Sequence, residues 1–157
     1  MTAKERLLNA ASRGDTKTVL EIIASDHSVD ACKDKALISA VEKGHVLTAM
    51  ALISAGADLN TSDGLPLIAT IWKGDIKMLQ VLLGAAANVH VIGGQPLRWA
   101  AEWGKISVVK ILLLNGADAM ACSEELICGI EEIGQRYTET ARVLRAAKKE
   151  MGNENRE

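Results

Sequence analysis

The sequence predicts an all-α fold, a helical solenoid of stacked helix-turn-helix repeats. Of its 157 residues, 48% are apolar and only 3% are aromatic, a composition that suits close packing of small aliphatic helices. Glycines also recur at a constant spacing of 30 residues, at Gly14, Gly44, Gly74, Gly104 and Gly134. An internal period of this length is typical of repeat architectures, in which each unit stacks on its neighbours.

Four other registers share the period and carry mainly small or apolar residues. They are Leu7, Leu37, Leu67, Leu97 and Ile127; Ala10, Ala40, Thr70, Ala100 and Ile130; Ile22, Leu52, Leu82 and Leu112; and Ile23, Ile53, Leu83 and Leu113. Five registers thus share one spacing. Three of them recur five times along the chain, which indicates about five structural repeats.

Each repeat is predicted to contain two short helices. In the fourth repeat these run from about Pro96 to Trp103 and from about Ser107 to Leu114, with Gly104 between them. Gly116 then ends the second helix, because glycine adopts the positive φ required there. A pair of helices this short cannot bury its apolar faces alone, so neighbouring pairs must stack.

We expect one domain over residues 1–150, with repeats at about 3–31, 32–61, 62–91, 92–121 and 122–147. The first and last repeats carry charged residues where the others have apolar ones, as capping repeats do. The array is therefore expected to be complete. Residues 151–157 are expected to form a flexible polar tail.

Three segments resemble ankyrin repeats: "ALISAVEKGHVLTAMALISAGADLN", "GLPLIATIWKGDIKMLQVLL" and "GQPLRWAAEWGKISVVKILLLNGADA". The resemblance extends by phase to nearly the whole chain and implies an ankyrin-type solenoid. The family period is about 33 residues, so this chain lacks about three per repeat. The deficit falls where the family has its β-turn finger, which predicts shortened interrepeat loops.

Two departures from the family pattern affect helix ends. The threonine that caps the first helix is replaced by Lys35, Leu65 and Gln95; we expect Asp34 or Asp63 to substitute as caps. Ala86 stands where the turn glycine should be, so the third repeat is either strained there or turns at Gly84 instead.

Charge and hydropathy exclude several classes of protein. The net charge is −2 and the pI is about 5.9, whereas nucleic-acid binders usually carry a basic patch. The one basic cluster, Arg142, Arg145, Lys148 and Lys149, is interpreted as a solvated helix end. No apolar run approaches the roughly 20 residues of a membrane span, and the charged N-terminus is unlike a signal peptide. We expect a cytoplasmic protein.

No pattern of catalytic or metal-binding residues is evident. The three histidines lie in different repeats, and the glycines mark turns. Cys32, Cys122 and Cys128 lack the close pairing of zinc sites and are interpreted as small apolar fillers. Repeat geometry places Cys32 and Cys122 too far apart for a disulfide. We therefore expect no enzymatic activity, no cofactor and no metal.

The tryptophans are the candidate functional residues. Trp99 and Trp103 lie on the first helix of the fourth repeat, opposite its buried positions, and Trp72 lies on the same stripe of the third. The family resemblance implies that this stripe lines the concave groove, where partners commonly bind. Trp is enriched at interface hot spots, so we expect a contact platform with a polar rim of Lys43, Lys73, Arg98 and Glu102. Alternatively, the tryptophans pack over alanines and merely seal the groove.

The sequence therefore predicts a monomeric, non-enzymatic module that binds another protein through the concave face of repeats 2–4. One alternative is a host-modulating inhibitor from a virus, phage or intracellular bacterium, suggested by the short period. A second is a module that assembles with copies of itself. Nucleic-acid binding through stacked bases is a third, and the near-neutral charge argues against it.

Overall fold

A computed structural model describes residues 2–154, apart from the side chains of Arg136 and Glu154. The predicted all-α class is confirmed: this part of the chain contains helices and no β-strand. The α-helices are α1 (Ala3–Arg13), α2 (Thr16–Ser25), α3 (Lys33–Lys43), α4 (Val46–Ser54), α5 (Thr61–Lys73), α6 (Ile76–Gly84), α7 (Val91–Glu102), α8 (Ile106–Leu114), α9 (Glu124–Ile133) and α10 (Gln135–Glu154). Short 3-10 helices cover His27–Cys32 and Ala119–Ala121.

The helices form two compact units, one ending at Asn88 and the other beginning at Val89. In the N-terminal unit (α1–α6), first helices α1, α3 and α5 pack on one another, as do second helices α2, α4 and α6. In the C-terminal unit (α7–α10), α10 contacts each of the other helices. A single domain over residues 1–150 stays a prediction.

Both cores use the periodic positions predicted from the sequence. The residues of these registers that are almost fully buried include Leu7, Leu37, Leu52, Leu67 and Leu82 in the N-terminal unit, and Leu97, Leu112 and Ile127 in the C-terminal unit. Burying a leucine side chain contributes about 1.5–3 kcal/mol. The repeated leucines therefore hold the helix pairs of each unit together.

Glycines in the left-handed conformation follow four of the first helices, at the positions where the sequence predicts a break. Their φ values are 73° at Gly14, 77° at Gly44, 74° at Gly74 and 61° at Gly104. At Gly14 a side chain would also clash, since a Cβ there would lie 2.6 Å from His45 Nδ1. Gly134 is different, with φ 148° and ψ 178°, so the fifth repeat turns without this cap.

A left-handed turn opens α5 and α7, at the place where the sequence predicts shortened loops. Ser62, Asp63 and Gly64 all have positive φ, and so do Ile92, Gly93 and Gly94. Each triplet forms one left-handed turn in the place of the family's finger. The bounds of α7 include this turn, and its right-handed part follows Gly94, close to the predicted start at Pro96.

The expected side-chain caps were wrong, and of the two alternatives for Ala86 the structure shows strain at Ala86 and no turn at Gly84. Neither α3 nor α5 has a side-chain N-cap. Asp34 Oδ1 instead accepts a hydrogen bond from the backbone N–H of Asp58, at 2.8 Å, and Asp63 lies within the left-handed turn. Gly84 remains in α6, and Ala86 adopts the left-handed conformation at φ 66°.

The C-terminal helix is longer and more tightly held than expected. α10 continues to Glu154, so residues 151–154 are helical, while residues 155–157 lie outside the described part. Two of the four basic residues interpreted as solvated are bound to α9 or its preceding segment. Arg145 Nη1 lies 2.7 Å from Glu131 Oε2, and Lys148 Nζ donates to Glu124 (3.0 Å) and to the Cys122 carbonyl (2.9 Å).

The three cysteines are free and differ in exposure. Cys122 is buried, Cys32 is partly buried and Cys128 is exposed, so the interpretation as apolar fillers was wrong for Cys128. Burial raises the pKa of the Cys122 thiol to about 11, which keeps it protonated at neutral pH.

No helix in the described part of the chain combines the length and apolar character needed to cross a membrane.

Candidate functional site

Helix α5 has two apolar faces, and only one of them is covered. Leu67, Thr70 and Ile71 are buried in the core of the N-terminal unit. A second stripe, Leu65, Ile68, Ala69 and Trp72, follows the i, i+3, i+4, i+7 spacing of one helix face. The first three of these are partly exposed, and the Trp72 side chain is 67% exposed.

This second stripe is unusual for a surface helix. No charged residue occurs from Leu65 to Trp72, whereas surface helices normally place charged and polar residues opposite the buried face. A large exposed aromatic beside other apolar residues often marks an interaction site.

The second stripe of α5 borders a surface pocket of about 410 Å³. The pocket, here called the Trp72 pocket, is lined by Glu42, Lys43, Leu65, Ile68, Ala69, Trp72 and Lys73. Lys73 Nζ donates a hydrogen bond to the Glu42 backbone carbonyl, which ties the end of α5 to the end of α3. The Lys43 side chain stays exposed at the rim.

In the C-terminal unit, Trp99 and Trp103 stack on each other along α7. Their ring centroids are 6.1 Å apart and their planes differ by 10°. Residues four apart face the same side of a helix, so their spacing allows this pairing. Both rings are partly buried. Part of their aromatic surface is therefore already covered.

The two polar residues predicted beside these rings have different environments. Glu102 is exposed, whereas Arg98 is partly buried. Arg98 lies near enough to Cys122 for its positive charge to lower the pKa of that thiol, against the larger effect of burial. Arg98 therefore belongs in part to the interior of its unit.

The structure brings together three of the seven predicted residues in the N-terminal unit, where Lys43, Trp72 and Lys73 line one pocket. The binding role of all seven stays a prediction. Leu65 and Ile68 were missed as pocket residues, although their spacing from Trp72 was readable in the sequence.

Metal ligation has no candidate in the part of the chain that the structure describes. No group of three or more His, Cys, Asp or Glu side chains there is arranged to hold a metal ion.

Comparison with known families agrees with the repeat pattern. A family model described as "Ankyrin repeats (3 copies)" matches residues 7–92, which is more than half of the chain. A second model, "Ankyrin repeat", matches residues 93–124. A search of curated proteins found no significant match.

Proposed function

Because the chain belongs to the ankyrin-repeat family, we propose that it is a non-enzymatic module that binds another protein through its first helices. Ankyrin repeats are generally protein-protein interaction modules. The proposed surface is the concave face of repeats 2–4, with Trp72, Trp99 and Trp103 as contacts and Lys43, Lys73, Arg98 and Glu102 around them.

One observation supports this proposal above the others: the uncovered apolar stripe of α5 that ends at Trp72. A tryptophan that is 67% exposed beside a pocket offers a large, rigid contact area. Truncating such hot-spot side chains typically costs a complex about 2 kcal/mol or more. Presentation on a preformed helix also limits the conformational entropy lost on binding.

The proposal is tested by pull-down from lysate with wild type, Trp72→Ala and a Trp99→Ala/Trp103→Ala variant. The matched control is Leu47→Ala, because Leu47 is 72% exposed on the second helix α4. We expect a partner that wild type and Leu47→Ala retain and that folded Trp72→Ala loses. Equal retention by all variants would place the interface elsewhere.

The identity of a retained partner would also separate the alternatives. A host protein would favour the host-modulating inhibitor. Sedimentation of the isolated chain tests the monomer we propose, since a self-assembling module would show a mass that rises with concentration.

A further inference from the structure

The apolar surface of α10 extends beyond the face that it buries. Ala141 and Leu144 are buried within the C-terminal unit. On the flank beside them, Val143, Ala147 and Met151 recur at every fourth position, which places them on one side of the helix. All three are only partly buried. This flank of α10 is therefore apolar and still accessible to solvent.

Together with α8, this flank of α10 forms an open groove of about 520 Å³, here called the α8–α10 groove. Its other wall is formed by Leu113 and Leu114, and the Leu114 side chain is 86% exposed. The small residues Gly116, Ala117 and Ala146 also line the groove. Small side chains allow another backbone to approach closely, so the groove can receive a whole element of secondary structure.

One end of the α8–α10 groove carries an excess positive charge. Lys110 lines this end, and its Nζ lies 3.5 Å from Glu139 Oε1. The same carboxylate also pairs with Arg142, at 3.4 Å, and the Arg142 side chain is 76% exposed. One carboxylate is thus shared by two cations, and surface pairs of this kind are weak. A second acidic group at this end would be attracted.

The opposite end of the groove carries an unpaired negative charge. Glu150 is exposed there and forms no hydrogen bond or ion pair with another residue in the described part of the chain. Its neighbour Lys149 is two positions from both Ala147 and Met151, which places Lys149 on the other side of α10. Glu150 is therefore available to a cation of a bound molecule.

We propose that the α8–α10 groove binds an amphipathic helix of a partner protein, with an acidic residue at the Lys110 end and a basic residue at the Glu150 end. Two packed helices with apolar side chains at helical spacing form the kind of groove that receives a third helix. The opposite charges at the two ends select the partner and fix its direction. This surface lies on second helices and adds to the contact proposed for the first helices.

The rise of a helix gives the spacing of the two charges in the partner. Lys110 lies level with Glu139 on α10, so Lys110 and Glu150 are about 16 Å apart along the axis, at about 1.5 Å per residue. A partner helix covers this distance in about 11 residues, close to three turns, so both charges share a face with the leucines between them. The helix dipole favours the acidic residue at the N-terminal end.

The test is an NMR titration with a stapled, helical 12-residue peptide. It has Glu at the first position, Leu at the fourth, fifth and eighth, and Lys at the twelfth. The protein carries ¹³C in its methionine methyl groups, and the Met151 signal is assigned by its absence in Met151→Leu. We expect a saturable shift of the Met151 signal. The signal of Met120, an exposed methionine of the same unit outside the groove, should stay unchanged.

A substitution in the apolar wall tests the groove itself. Leu114→Gln should weaken binding about tenfold or more, because burial of a leucine side chain is lost. The matched control is Leu47→Gln, since Leu47 is 72% exposed on α4 in the other unit. It should leave the affinity unchanged. Circular dichroism checks that each variant is folded.

A charge reversal tests the direction of the helix. Glu150→Lys should weaken binding about threefold or more, as expected for the loss of a surface ion pair. A second peptide, with Glu in place of Lys at the twelfth position, should bind Glu150→Lys better than it binds wild type. The matched control is Lys149→Glu on the other side of α10, which should bind the first peptide as wild type does.

Four outcomes would overturn the inference. The first is equal affinity for a peptide with Gln at both charged positions. The second is a Met151 shift that appears as the protein alone is concentrated, which assigns the groove to a second copy of the chain. The third is a Met151 shift with phosphatidylcholine vesicles and none with the peptide. The fourth is no shift with either ligand. None of them bears on binding through Trp72, which the pull-down tests separately.

Discussion

At the residue scale, the turn that ends α6 carries a conformational strain that two equivalent turns lack. Gly56 and Gly116 take φ values of 88° and 85°, and Ala86 takes 66° at the same repeat position. The left-handed conformation costs an L-residue roughly 1–2 kcal/mol. This turn therefore stores strain at Ala86.

Ala86→Gly should stabilise the protein by about 0.5–1 kcal/mol, because relief of the strain exceeds the added flexibility of the unfolded chain. The measurement is urea unfolding followed by circular dichroism. Ala85→Gly is the matched control: φ is −90° at Ala85, so glycine relieves nothing there and should destabilise. A loss of stability in Ala86→Gly would contradict this explanation of the turn.

Some backbone conformations of single residues could be predicted from the sequence, and others could not. Left-handed φ at Gly14, Gly44, Gly74 and Gly104 was predictable, because only glycine adopts it freely and its spacing is regular. The turn at Ile92 was not, because a β-branched residue with φ 50° contradicts local preference. The Ile92 side chain is 51% exposed, and no local sequence pattern indicates this conformation.

At the scale of elements, ion pairs link α9 to α10. Glu124 lies 3.0 Å from Lys148 Nζ and 3.7 Å from Arg145 Nε, and Arg145 also pairs with Glu131. The hydrogen bond from Lys148 lowers the pKa of Glu124 below its ordinary value of 4.5, although slight burial opposes this. Arg145 and Lys148, which were expected to be solvated, thus join the two helices of the last repeat.

Linkage predicts how this contact responds to pH. A carboxylate with a depressed folded pKa stabilises the fold above its unfolded pKa, and that contribution is lost as pH falls through the folded pKa. Below about pH 4.5, wild type should therefore lose stability more steeply than Glu124→Gln. The check is thermal unfolding of both proteins across the acid range, with Glu125→Gln, an exposed neighbour, as control.

Asp15, Asp26 and Asp30 also have lowered pKa values, owing chiefly to side-chain hydrogen bonds with Thr18, Ser28 and Lys33. These three aspartates are present in every variant. The difference in stability between wild type and Glu124→Gln at each pH therefore reports on Glu124 alone. If the unfolding temperatures of wild type and Glu124→Gln fall in parallel as the pH is lowered, the contact between Glu124 and Lys148 does not stabilise the fold.

Element lengths were only partly predictable from the sequence. The five helix pairs follow from the 30-residue period, because each apolar register must be buried by stacking. The length of α10 does not follow, since "MGNENRE" has the polar composition of a frayed end. The contacts of Lys148 and Arg145 with α9 and its preceding segment are likewise not evident from composition alone.

At the scale of the whole molecule, the family and the class of function follow from the repeat, whereas the site requires side-chain placement. Periodicity identified a stripe containing Trp72, Trp99 and Trp103. It did not show that Trp99 and Trp103 stack on each other while Trp72 stands exposed at the edge of a pocket. Three tryptophans on one predicted stripe thus differ in the exposed surface that each offers to a partner.

Contact between Trp72 and the partner can be followed by fluorescence of a Trp99→Phe/Trp103→Phe variant, in which Trp72 is the remaining tryptophan. The partner retained in the pull-down is added, and iodide quenching and emission wavelength are recorded. We expect the emission to shift to shorter wavelength and the quenching to be lost as Trp72 is buried. Binding at full affinity with unchanged emission and quenching would contradict it.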